Sequence, residues 1–175
     1  MTVPDPYHTE QAGAAGGTRR AVALDSPEAT ARLAAAVAEL ARPGDLIALH
    51  GDLGAGKTAF ARAFVRARGR ISGTTVDEVP SPTFTLVQTY PMAGGDVWHL
   101  DLYRLDQAGD AAELGLDEAL TEGIVLIEWP DRLGDLLPAS RLDLTLRFGA
   151  AEEAREAILT GFGDTGARLA AVSFP

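Results

Sequence analysis

The run Gly51-Asp52-Leu53-Gly54-Ala55-Gly56-Lys57-Thr58 leaves few options open to a chain that contains it. Consecutive backbone N–H groups can wrap round a phosphate only in a glycine-rich turn. The helix that such a turn opens adds its positive end to the same anion. Both flanks fit. Leu46 to Leu49 reads as a buried strand leading straight into the run. Beyond it, Phe60, Ala61, Phe64 and Val65 form the apolar stripe of a helix that ends near Gly69. The pattern predicts that the backbone of Asp52, Leu53, Gly54, Ala55, Gly56 and Ala59 lines a nucleotide's phosphates. Lys57 then reaches the β- and γ-phosphates, and the Thr58 hydroxyl binds Mg2+. Of the 15 basic residues Lys57 is the only lysine, in a chain otherwise served by arginine. That placement fits a position needing a slim ammonium.

The rest of the chain supplies an α/β scaffold. Arg20 to Leu24 reads as a strand, and Ser26-Pro27-Glu28 as a helix start with Leu33, Val37 and Leu40 at helical spacing before Pro43-Gly44. Thr83 to Tyr90 and Val97 to Leu102 read as a hairpin, Asp110 to Leu120 as one or two short helices, and Ile124 to Ile127 as a fully apolar strand. Three more strands are predicted near Leu142 to Phe148, Arg155 to Thr160 and Arg168 to Phe174. The expectation is a three-layer P-loop NTPase-like domain over 20–175, its mixed and mostly parallel sheet ending in antiparallel strands. Residues 1–19, rich in Gly, Ala, Pro and Thr, read as a disordered leader.

Composition narrows the partners. With 175 residues and 46% apolar side chains the chain suits one packed domain. There is no cysteine, which removes disulfides and thiolate metal sites. The apolar stretch from Leu33 to Ala41 is interrupted by Glu39 and is far short of a membrane span, and no signal-peptide pattern is read at the N-terminus, so a cytoplasmic protein is expected. The net charge of −10 opposes direct binding to nucleic acid, so if RNA is involved a partner is expected to make most of the contacts.

A P-loop also needs a carboxylate that holds Mg2+ from a neighbouring strand end. Ile124-Val125-Leu126-Ile127-Glu128 and Val97-Trp98-His99-Leu100-Asp101 both have that form, which makes Glu128 and Asp101 the candidate metal and catalytic acids beside Lys57 and Thr58. Ser81, Thr83 and Thr85 lie on a polar loop that reads equally as a γ-phosphate switch or as a turn before a strand. His99, a single histidine among apolar neighbours, reads as structural. Trp129 reads as a stacking residue or as core.

In their order along the chain these segments resemble the bacterial TsaE (YjeE) family, the ATPase of tRNA threonylcarbamoyladenosine biosynthesis. The resemblance rests on Ser26-Pro-Glu-Ala-Thr30, Pro43-Gly-Asp45, the phosphate loop, Ser81-Pro-Thr-Phe-Thr-Leu86, His99-Leu-Asp-Leu-Tyr-Arg104, Glu113-Leu-Gly-Leu116 and Ile127-Glu-Trp-Pro-Asp131, over about residues 20 to 160. It implies ATP and Mg2+ as cofactors, Glu128 as the Mg2+-associated acid with Asp101 its companion, and Ser81 to Thr85 as the switch loop. It also implies that Trp129 and Arg155 lie beside the nucleotide and that Ser26 to Thr30 lies near the adenine. The implied activity is slow ATP hydrolysis coupled to a threonylcarbamoyl transferase, with TsaD-type and TsaB-type partners that bring the tRNA. Two other functions remain open: an assembly switch in which hydrolysis is incidental, and a small-molecule kinase, for which no Arg-bearing lid is found. Ala59 departs from the family's usual Thr, and the segment from Gly161 onward matches poorly.

Overall fold

A computed structural model describes residues 17–174. Its strands are β1 (Thr18–Leu24), β2 (Leu46–His50), β3 (Val87–Tyr90), β4 (Val97–Asp101), β5 (Ile124–Glu128), β6 (Arg141–Phe148) and β7 (Arg155–Phe162). Its α-helices are α1 (Pro27–Leu40), α2 (Lys57–Ser72), α3 (Leu116–Glu122) and α4 (Gly163–Ala170), with 3-10 segments at Ala108–Leu114 and Pro130–Leu136. One seven-stranded sheet runs in the order β1-β7-β6-β2-β5-β4-β3. The middle pairs, β6–β2, β2–β5 and β5–β4, are parallel, and the pairs towards both edges are antiparallel.

Alternation along the central strands builds the three layers. Ile47, Leu49, Ile124 and Leu126 point into a core shared with α1, α2 and α4, which includes Leu33, Phe60, Phe64 and Leu169. Leu46, Val125 and Ile127 point the other way, into a core under α3 and the 3-10 segments. Both faces of β5 are covered, which is why its sequence is a continuous apolar run. Helix α1 starts as its sequence predicts: the Ser26 Oγ accepts the Ala29 N–H at 3.2 Å and Pro27 occupies the first turn. No helix among the described residues is long and apolar enough to cross a membrane.

Three segments differ from the sequence reading. Residues 1–16 of the predicted leader lie outside the described residues, while Thr18 and Arg19 belong to β1, with Thr18 opposite Gly161. The strand predicted over 83–90 covers only Val87–Tyr90. Ahead of it the chain turns, closed by the Leu86 N–H donating to the Pro82 carbonyl at 2.7 Å, and Leu86 takes a left-handed φ of 65° that no strand admits. The strand predicted near Arg168 to Phe174 is replaced by α4, which ends at Ala170.

Tertiary contacts favour that helix over a strand. Arg168 donates to the Leu40 carbonyl and, at 2.6 Å, to the nearly buried carboxylate of Asp45, while Leu169 enters the core. The helix comes so close to the sheet that a Cβ on Gly166 would lie 2.1 Å from the Arg141 carbonyl oxygen. Gly166→Ala is therefore expected to destabilise the protein by about 2 kcal/mol or more, because backbone cannot yield as a side chain does. Urea unfolding of this variant against the wild type measures the effect.

Candidate functional site

Strands β2, β4, β5 and β6 run parallel, so their carboxyl ends share one edge, and the side chains singled out in the sequence gather there. The loop after β2 is shaped by its glycines. Gly51, Gly54 and Gly56 have φ of 134°, 79° and 108°, and a Cβ on Gly51 would lie 2.4 Å from the Leu146 carbonyl oxygen. Helix α2 starts at Lys57 immediately after Gly56, so its free N–H groups face the loop.

Lys57 is 4% exposed. Its ammonium donates to the carbonyls of Gly51 at 2.6 Å and Asp52 at 2.8 Å, and sits 4.0 Å from the centre of the Trp129 ring. Burial pulls this ammonium below the usual lysine range, against the opposing pull of Glu128, Asp101 and Asp52. The ring above it is held in place by the backbone. Trp129 has a φ of 58°, uncommon for a bulky residue and more so before proline, and this turns the chain sharply out of β5. Tyr103 packs against the same ring with centroids 5.0 Å apart.

The candidate acids lie side by side. Asp101 and Glu128 are register partners across β4 and β5, 3% and 2% exposed. The Thr58 hydroxyl donates to Glu128 Oε2 at 2.9 Å. The Thr83 hydroxyl donates to Asp101 Oδ2 at 2.9 Å, and Ser81 Oγ lies 2.8 Å from Thr83 Oγ1. The structure thus joins Thr58 to Glu128 and ties the Ser81–Thr83 loop to Asp101. Thr85 stays outside this set and accepts from the Gln88 amide at 3.1 Å.

The remaining candidates divide. Arg155 donates through Nε to the Ala55 carbonyl at 3.1 Å, with Nη2 3.5 Å from that of Gly54, so it braces the phosphate loop from β7. The Leu53 side chain is 77% exposed at the loop's tip, and the Ala59 side chain is exposed on α2. Ser26 and Thr30 lie near the end of β1, where Leu24 pairs with Arg155. Ser26 caps α1, Thr30 is buried, and among the described residues no hydrogen bond joins either to the loop.

Sequence reasoning missed two partnerships. His99, which reads as structural, is fully buried, and what the sequence hid is its partner: Nε2 lies 2.8 Å from Glu128 Oε1. The available signal was its spacing of two from Asp101, which puts both on one face of β4. His50, just before the loop, has Nδ1 3.6 Å from Asp131 Oδ1 and Nε2 3.4 Å from Asp143 Oδ1, beside a cleft of about 550 Å3 that Trp129 and Phe148 also line. Burial works against the charged His50 ring, but the two carboxylates prevail and raise its pKa to about 9. In return His50 holds Asp131 below its ordinary value. Asp143 is lowered too: burial opposes its charge, and the nearby His50 ring together with bonds from Arg141 outweigh that.

A glycine-shaped anion cradle, a buried lysine and two strand-end acids on a mixed α/β sheet define a P-loop NTPase-like protein. Structural similarity agrees: Bacillus subtilis YdiB superposes with a TM-score of 0.72 at 30% identity, over 89% of this chain and 94% of that one. The family model described as threonylcarbamoyl adenosine biosynthesis protein TsaE matches residues 24–157, and the chain belongs to the TsaE family. Among curated relatives, the tRNA threonylcarbamoyladenosine biosynthesis protein TsaE of Bacillus subtilis is 37% identical over 142 residues, 79% of this chain and 84% of its own length. Those of Rickettsia felis and Streptomyces coelicolor are 38% and 35% identical, over 70% and 73% of this chain and 70% and 87% of their own lengths.

The His50 network makes stability depend on pH. A folded-state pKa raised from 6.5 to about 9 gives a stabilisation that is complete below 6.5 and lost as pH rises through about 9. Thermal melts from about pH 6 to pH 10 should show the advantage of wild type over His50→Gln shrinking across that window.

Proposed function

We propose that this chain is the nucleotide-binding subunit of tRNA threonylcarbamoyladenosine biosynthesis, binding ATP with Mg2+ and hydrolysing it slowly. The observation that carries the reading is the convergence of Lys57, Thr58, Glu128 and Asp101 on one loop at one sheet edge. The cradle fits a polyphosphate, because glycines at positive φ shape the loop and helix α2 opens from it with its free N–H groups. The donor set also fits Mg2+, with a threonine hydroxyl and two buried carboxylates, which are hard oxygen ligands. When bound, Mg2+ supplies charge neutralisation at the phosphoryl oxygens.

The chain's own groups do the rest. Lys57 exchanges the Gly51 and Asp52 carbonyls for phosphate oxygens, and with its pKa already lowered by burial it gains a partner of stronger charge. The Thr58 hydroxyl, now donating to Glu128 Oε2, and the Glu128 carboxylate would be the groups that hold Mg2+. Asp101, bonded to Thr83, carries the state of the metal site to the Ser81–Thr85 loop, whose Phe84 is 80% exposed. That route is how ATP and ADP states would be presented to TsaD-type and TsaB-type partners. The same route favours a second reading, an assembly switch with incidental hydrolysis. An analogue that cannot be hydrolysed separates them: support for repeated modification cycles selects the switch.

Two features set the pace and the setting. Arg155 is committed to the loop carbonyls and is not free to stabilise the transition-state charge, a role this reading gives to a partner. The net charge of −10 leaves tRNA binding to the partners, in the cytoplasm where tRNA is modified. The isolated chain should turn over at least about 100-fold more slowly than the 1–100 s⁻¹ usual for kinases. Reconstitution with the two partner types and tRNA tests the proposal. Lys57→Ala and Glu128→Ala should each cut multiple-turnover modification by about 100-fold or more, and undiminished modification by both would refute it.

A further inference from the structure

Among the described residues His99 is the fully buried side chain whose presence packing explains least. It is 0% exposed, on a strand whose neighbours Val97 and Leu100 are equally buried and apolar. Among the described residues its Nδ1 finds no hydrogen-bond partner, a penalty inside a protein. An apolar residue of similar volume would avoid that penalty. What an apolar residue cannot supply is the contact on the other side of the ring, where Nε2 lies 2.8 Å from Glu128 Oε1. A carboxylate only accepts, so the ring hydrogen of this pair sits on Nε2.

The two oxygens of Glu128 are therefore divided. Oε1 is held by His99 from β4, and Oε2 by the Thr58 hydroxyl from α2. The Thr58 bond has to break when its hydroxyl turns to a metal ion. The His99 bond does not, because it approaches from within the sheet on a group buried from solvent. Building on the nucleotide site proposed above, we infer that His99 is a positioning residue: it fixes the Glu128 carboxylate so that Oε2 stays aimed at the Mg2+ site once Thr58 lets go. Without it the carboxylate is free to rotate, and its place beside the metal is occupied only part of the time. Groups that orient a metal's carboxylates through hydrogen bonds typically change metal affinity by about 10–100-fold when removed.

The test compares how far Mg2+ strengthens binding of a non-hydrolysable ATP analogue in wild type, His99→Leu and His99→Gln. Calorimetric Kd values with Mg2+ and with EDTA give that ratio for each protein. In His99→Leu the enhancement should fall by about tenfold or more. His99→Gln, whose amide can reach Oε1, should recover most of it, which a general loss of packing would not. If wild type shows the enhancement and His99→Leu keeps it within about twofold, the inference is overturned while the nucleotide site stands. If wild type binds no analogue, the site reading fails and takes this inference with it. Should His99→Leu not fold, imidazole ¹⁵N NMR of the wild type decides. A proton on Nε2 that persists when the Mg2+–analogue complex is added supports the role, and a ring carrying its proton on Nδ1 refutes it.

Discussion

The parallel pairing of β2, β5 and β4 is the constraint on which everything else here depends. Its register puts Leu49 opposite Glu128 and Glu128 opposite Asp101, so the phosphate loop and both acids leave the sheet at one level. No loop has to reach across the molecule to assemble the site. Because the two faces of these strands pack into separate cores, slipping that register by one residue would mismatch both and part Glu128 from Asp101. The geometry of the site is therefore fixed by the same packing that stabilises the fold.

Within that frame the molecule holds several arrangements that would be unfavourable alone. A lysine and two carboxylates are nearly buried, and each finds a hydrogen-bond partner: loop carbonyls for Lys57, hydroxyls for Asp101 and Glu128. Leu86 and Trp129 take left-handed backbone, each next to one of those acids in space: the Leu86 carbonyl accepts the Asp101 N–H, and Trp129 follows Glu128 directly. Strain of this kind persists only where the surroundings over-determine it, and it collects where chemistry is done. In the nucleotide site proposed above, the side chains that would change partners are thus held by defined contacts beforehand.

How much of this could be read from sequence depended on distance along the chain. The phosphate loop was legible because its glycines, lysine and threonine are contiguous and answer to local geometry. Glu128 and Asp101 were legible as acids ending apolar strands. The end of the chain was not: Arg168 to Phe174 carries too weak a pattern to tell strand from helix, and the choice was made by Arg168 reaching Asp45 and Leu40, more than a hundred residues away. The bend at Leu86 was likewise hidden, since nothing in a leucine announces positive φ. The contacts of His99 and His50 were hidden for one reason. Their partners, Glu128 for one and Asp131 and Asp143 for the other, become neighbours only when separate strands meet.

The hold of Arg155 on the phosphate loop has a consequence for how the protein comes into being. The arginine lies a hundred residues after the carbonyl it braces, on a strand flanked by β6 and by β1 from the other end of the chain. Such long-range closures form late, after local structure is in place. On a ribosome, β2, α2, β4 and β5 emerge before the strand that carries the brace and can pack ahead of it. The loop acquires its brace only after β7 has emerged. A chain stopped short of β7 would carry every residue of the phosphate motif and still lack the arginine that braces it.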